Sequence, residues 1–187
     1  MKVLTLTESS FLEHCHSLRE MVDGDGFQPD MVIAIATGGM YVAGNMEYPK
    51  FYTVFMQRPS TKNKKGVIVS VIKKLPRWMA DMLRIIESRI LAVRDSRRTR
   101  EATPIQIDTS LAKELKSMEN PRILIVDDAV DSGFTLADVV ENVKAHTGNA
   151  DIRTAVITVT RKSTIIKPTY CIYRNSLLVR FPWSLDS

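Results

Sequence analysis

The sequence predicts an α/β fold in which a mainly parallel sheet is doubly wound by helices. Apolar runs of strand length recur at residues 31–36, 51–56, 67–72, 123–126 and 153–159, with a weaker one at 177–181. The run at 31–36 is apolar at every position, which fits a strand covered on both faces better than one with a wet side. The intervals carry the 3.6-residue spacing of amphipathic helices, and strands alternating with helices are the pattern of a parallel sheet with crossover connections. At 187 residues the chain is expected to form one domain, 1–187, around one full core.

Residues 10–22 place Phe11, Leu12, Cys15, Leu18 and Val22 on one helical face, with Ser10 and Glu13 at capping-box spacing. Pro29 then leads into Met31-Val32-Ile33-Ala34-Ile35-Ala36, which stops at Thr37-Gly38-Gly39, a tight loop. From 76 to about 93 a helix is expected, with Pro76 in its first turn and Met79, Met82, Leu83, Ile86, Ile90 and Val93 on one side. A charged stretch follows at 94–101, and Thr109 or Ser110 is expected to cap a short helix running to Met118. The interval 73–120 thus reads as a helical insertion in the sheet fold.

Composition narrows the class. An apolar share of 44% and a charged share of 25% exclude a disordered chain. No apolar run approaches the roughly 20 residues that cross a bilayer, and the opening MKVLTLTESSFLEH is polar where a signal peptide is apolar. A cytoplasmic protein with no membrane partner is expected. The net charge of +5 favours an anionic partner, whether nucleic acid, a polyphosphate metabolite or an acidic neighbouring subunit. Its excess gathers in Lys62, Lys64, Lys65, Lys73 and Lys74 and in Arg94, Arg97, Arg98 and Arg100. Cys15 and Cys171 are expected to stay reduced. His14-Cys15-His16 is not read as a metal cluster, because neighbouring residues on a helix diverge.

The chemistry lies in residues 123–136, ILIVDDAVDSGFTL. Four apolar residues precede Asp127 and Asp128, and the periodic helix Leu136, Val139, Val140, Val143 follows, so the segment reads as strand, loop, helix. A helix N-terminus offers unpaired N–H groups and partial positive charge to a phosphate. Ser132 and Thr135 add hydroxyl donors, and Gly133 lets the backbone wrap closely round an anion. Two carboxylates just upstream suit ribose hydroxyls or a hydrated magnesium ion. Paired aspartates also hold magnesium in receiver domains, but there the pair opens the domain. A structural loop with solvated acids is the remaining alternative.

Residues 123–136 resemble the phosphoribosyl-pyrophosphate signature of type I phosphoribosyltransferases, with Asp127 and Asp128 as its acidic pair. The resemblance implies that these two hold ribose hydroxyls, directly or through Mg2+, that Asp131, Ser132, Gly133, Phe134 and Thr135 cradle the 5-phosphate, and that Asp131 exchanges a proton with the base. Thr37-Gly38-Gly39 resembles the family's pyrophosphate loop. The tail, VITVTRK, KPTYCIY and LLVRFPW, resembles that of xanthine-guanine and related purine members. It implies a small hood formed by about 162–187 with the N-terminal segment, a contact from Lys162 to the 6-oxo group of a purine, and base contacts from Phe181 and Trp183. The expected activity is magnesium-dependent phosphoribosyl transfer from 5-phosphoribosyl-1-pyrophosphate to a nucleobase, a 6-oxopurine, in purine salvage, by a homodimer or higher homo-oligomer. A non-catalytic regulator that senses the same ligand and binds nucleic acid or a protein partner is the alternative. An enzyme for another acceptor, such as orotate, is a third.

Overall fold

The apolar runs become strands because they pair with one another. The computed structural model describes residues 2–56, 105–174 and 177–183. The expected strand at 67–72, the helix from Pro76, the charged stretch at 94–101 and the lysines between 62 and 74 lie outside the described residues. In chain order the elements are β1 (Lys2–Thr5), α1 (Glu8–Gly24), β2 (Met31–Ile35), α2 (Gly38–Asn45), β3 (Tyr52–Met56), β4 (Ile105–Gln106), α3 (Thr109–Ser117), β5 (Arg122–Val130), α4 (Phe134–Thr147), β6 (Asp151–Val159), β7 (Tyr170–Arg174) and β8 (Leu177–Arg180).

The main sheet has the order β4-β3-β2-β5-β6-β7. All neighbours pair in parallel except the short β4, which runs antiparallel to β3. Alternation along the strands divides the core between the two faces. Val32, Ala34, Leu124 and Val126 pack with Phe11, Cys15, Leu18 and Val22 of α1 and with Val42 and Ala43 of α2. Ile33, Ile35, Ile123 and Ile125 pack with Leu111 and Leu115 of α3 and Leu136, Val139 and Val143 of α4. Each fully buried aliphatic side chain contributes about 1.5–3 kcal/mol, which explains why β2, buried at all five positions, holds the centre.

β1 and β8 form a separate two-stranded parallel sheet, with Lys2 opposite Leu177 and Thr5 opposite Arg180. β7 joins the main sheet beside β6, where Ala155 faces Tyr170. Neither β1 nor β7 was expected as a strand.

Three local expectations are corrected. The capping box of α1 is Thr7 with Ser10, not Ser10 with Glu13: the Ser10 N–H donates to Thr7 Oγ1 at 3.2 Å and the Thr7 N–H to Ser10 Oγ at 2.8 Å. The two hydroxyls stand at the required spacing one turn earlier. Asp108, not Thr109 or Ser110, occupies the N-cap of α3, and its carboxylate accepts the Ser110 hydroxyl at 2.7 Å. β5 also runs through Asp127 and Asp128 to Val130, because β6 supplies backbone partners to Asp127, Ala129 and Val130. The acidic pair therefore belongs to the strand and not to a loop beyond it.

Cys15 lies on the α1 face and Cys171 on the α4 face, both buried and free. Burial pushes the Cys15 thiol up to about 12. His14 turns Nε2 to the Tyr173 hydroxyl at 2.6 Å and His16 lies beside Glu47, and the described residues hold no cluster of three or more His, Cys, Asp or Glu placed to bind a metal. No helix among the described residues is long and apolar enough to cross a membrane.

Candidate functional site

β2 and β5 are neighbours in the sheet, yet the helices that follow them pack on opposite faces, α2 on one and α4 on the other. Their carboxyl ends therefore part, and open α/β sheets bind ligands at such a switch point. A cleft of about 790 Å3 opens there. Ala36, Thr37 and Gly38 form one wall, residues 127–133 with Thr135 and Leu136 the other, and Phe55 and Met56 at the end of β3 lie at the side.

The α4 wall is a turn shaped for close backbone approach. Gly133, the N-cap, adopts φ +87°, and a Cβ built on it would lie 3.2 Å from Ile166 Cγ2 and 3.3 Å from the Ile166 nitrogen. A side chain here would be both strained and crowded. The first intrahelical bond runs from the Ala137 N–H to the Gly133 carbonyl at 2.9 Å, so the N–H groups of Phe134, Thr135 and Leu136 have no helical acceptor. The side chains of Ser132 and Thr135 line the cleft beside them.

The α2 wall owes its shape to packing. A Cβ on Gly38 would come within 2.2 Å of the Asp128 carboxyl carbon, and one on Gly39 within 2.4 Å of the Val126 carbonyl oxygen. Both glycines are thus needed to seat α2 on β5, a reason distinct from ligand contact and invisible before the two elements are placed together. The Ala36–Thr37 peptide is cis. Thr37 precedes the helix without a side-chain capping bond, and no Lys or Arg of the described residues lines the cleft.

The carboxylates stand on the second wall, where β5 ends. Asp127 is 9% exposed, and its Oδ1 accepts the Asp128 N–H at 2.9 Å; Asp128 Oδ1 accepts the Ala129 N–H at 2.9 Å. Two adjacent carboxylates beside a helix N-terminus that could hold a phosphate match the way magnesium binds, with one or two protein oxygens and the remainder from phosphate and water. Asp131 is held differently. Its Oδ1 accepts the Thr160 hydroxyl and Arg161 Nε, both at 2.7 Å, and its Oδ2 accepts Arg161 Nη2 at 2.5 Å.

Of the residues singled out in the sequence, the structure brings Thr37, Gly38, Asp127, Asp128, Asp131, Ser132, Gly133 and Thr135 to the cleft, with Gly39 directly behind. Phe134, Lys162, Phe181 and Trp183 do not line it. Lys162 is exposed just past the end of β6. Trp183 stacks on Phe181, with centroids 4.9 Å apart, and on Tyr41 of α2 at 4.5 Å, while Phe11 of α1 meets it edge-on at 4.8 Å. Those rings fasten the tail to both helices of that face. Sequence reasoning missed Arg161 and Phe55; the only signal was a second cation beside Lys162 and a bulky apolar residue where a strand ends near the switch point.

The chain matches the family model of the phosphoribosyl transferase domain over residues 50–186. No curated protein matches the sequence. Among solved structures, it resembles the purine phosphoribosyltransferase of Pyrococcus horikoshii Ot3, with a TM-score of 0.57 and 20% identity over 98% of this chain and 95% of that one. The xanthine-guanine-hypoxanthine phosphoribosyltransferase of Helicobacter pylori gives 0.63 and 15% over 98% and 95%. A hypothetical protein from Neisseria gonorrhoeae, solved with bound ppGpp, gives 0.63 and 18% over 99% and 91%. At such identities the structural likeness is one of fold.

Proposed function

The chain belongs to the phosphoribosyltransferase family and has its type I fold, and from that premise we propose that the cleft transfers the phosphoribosyl group of 5-phosphoribosyl-1-pyrophosphate to a ring nitrogen of a purine, a 6-oxopurine in a salvage reaction. One observation carries the proposal: Asp127 and Asp128 sit at a switch point between two helix N-termini, those of α2 and α4. A ligand with anionic groups at both ends and hydroxyls between them matches that order of donors and acceptors.

In this reading the α4 turn, with Ser132, Gly133 and Thr135, binds the 5-phosphate; Asp127 and Asp128 accept the ribose hydroxyls; and the N–H groups after Thr37 meet the pyrophosphate. Asp127 and Asp128 are also the residues that would hold Mg2+, which when bound neutralises charge on the leaving pyrophosphate. The lone pair of the base nitrogen forms the bond to the anomeric carbon. The bond to the pyrophosphate oxygen breaks, and its electron pair leaves with pyrophosphate. The surplus proton of the base passes to Asp131. Fixed donors lining the cleft stabilise the charges that develop. Lys162, an ammonium that can only donate, favours an oxygen at the purine 6-position. Phe181 and Trp183 shape the base site through the hood.

The test is calorimetric titration of the full chain with phosphoribosyl pyrophosphate and magnesium, then pyrophosphate release on adding guanine, xanthine, hypoxanthine, adenine or orotate. Binding that disappears in the D127N/D128N double variant, with release on an oxopurine, is the expected result. Undiminished binding in that variant refutes the site assignment, and release with orotate alone refutes the purine assignment. The Neisseria gonorrhoeae relative supports adding ppGpp as a competitor, since it too would meet both helix N-termini.

A further inference from the structure

Asp131 enters the cleft with both oxygens already engaged. The guanidinium of Arg161 takes Oδ1 and Oδ2 in one fork, and the Thr160 hydroxyl adds a second donor to Oδ1. A bidentate fork fixes the plane of a carboxylate as well as its position, which a lysine cannot do. The Arg161 side chain is 20% exposed and that of Asp131 46%. Arg161 is not among the residues lining the cleft, whereas Asp131 is. The cation stands behind the carboxylate and aims it.

Further contacts bind the same two segments on either side of this pair. The Thr160 N–H donates to the Val130 carbonyl at 2.9 Å, the Ile165 N–H donates to the Ser132 carbonyl at 3.0 Å, and Ile166 packs against Gly133. The segment leaving β6, which carries Lys162, is thereby tied to the phosphate turn from Val130 to Gly133.

We propose that Arg161 is a positioning residue for phosphoribosyl transfer, acting through Asp131: it holds the proton-exchanging carboxylate at one orientation and ties the base-side segment to the phosphate turn. The inference rests on Asp131 being that proton-exchanging group. A reacting group released from its geometry loses rate through misplacement, by a factor of about 100 for displacements near 1 Å.

The experiment measures R161M, R161K, D131N and D131N/R161M in the full chain by steady-state kinetics, with the base that the parent consumes, and by calorimetry with phosphoribosyl pyrophosphate. R161M is expected to lose about 100-fold in kcat while its affinity for phosphoribosyl pyrophosphate stays within about threefold. R161K, which keeps the charge but not the fork, recovers about tenfold of that loss. The double variant is no slower than D131N, because a residue acting only through another has nothing left to position. A kcat in R161M within threefold of the parent overturns the proposal. So does a loss of ligand affinity equal to the loss of kcat, or a full further loss in the D131N background. If R161M does not fold, the same cycle with R161K decides. A parent that binds no phosphoribosyl pyrophosphate overturns the site assignment instead. A parent that binds it but consumes no base removes the proton exchange, and the role of Arg161 with it.

Discussion

The two helix N-termini that face the cleft reach the same end by different means. At α4 the proposed anion cradle is built from side chains and an unusual backbone: Ser132 and Thr135 supply hydroxyls, Gly133 sits at φ +87°, and residues 160–166 hold the turn from behind. At α2 the wall is Ala36, Thr37 and the Gly38 backbone, with no charged side chain. Thr37 makes no capping bond, and Gly38 and Gly39 are dictated by how closely the helix lies on Asp128 and Val126. One end can be tuned through the side chains it already presents; the other, lacking a charged group, would have to be given one at position 37.

The largest effect is expected on the α2 side. G39A would place a methyl 2.4 Å from the Val126 carbonyl, which is backbone and cannot move aside. The helix must lift from β5, with a loss of about 3 kcal/mol in urea denaturation, whereas G24A, with open space around it, stays within about 0.5 kcal/mol of the parent. A G39A protein of parental stability would mean that α2 is not seated as described. G133A follows: a left-handed backbone and the contact with Ile166 give a loss of about 2 kcal/mol and more than tenfold weaker phosphoribosyl pyrophosphate binding.

Third, T135V is expected to leave stability nearly unchanged and to weaken that binding about tenfold, the value of one hydrogen bond to a charged group. Equal affinity would remove Thr135 from the cradle. The smallest effect sharpens the contrast. T37K supplies that wall with a cation, and affinity for phosphoribosyl pyrophosphate should rise a few-fold in low salt. At about 0.5 M salt that gain should largely vanish, because the pair is open to solvent.

What could be read from the sequence is what is contiguous in it. β2 and residues 123–126 of β5 are legible because stretches covered on both faces are apolar throughout, and the run from Asp127 to Thr135 is legible because its donors and acceptors lie within one strand-to-helix junction. β1 escapes notice because Lys2–Thr5 is held by pairing with β8 at the other end of the chain. The fork between Arg161 and Asp131 joins residues on two different strand ends, so Lys162, adjacent in sequence, attracts attention instead. The demand for glycine at position 39 arises only from the distance between α2 and β5. Trp183 stands out in the sequence only as an aromatic near the end of the tail, whereas its stacking on Tyr41 depends on where the tail meets α2.

The partition of the core has a use of its own. Each face of the sheet carries one sealed thiol, Cys15 on the side of α1 and Cys171 on the side of α4. Burial raises both above the ordinary thiol value, Cys15 to about 12, so an alkylating reagent reacts only after that face has opened. Pulse alkylation followed by peptide mass analysis thus clocks the two halves of the molecule independently. A ligand gripped by α2 on one side and α4 on the other should slow both clocks together.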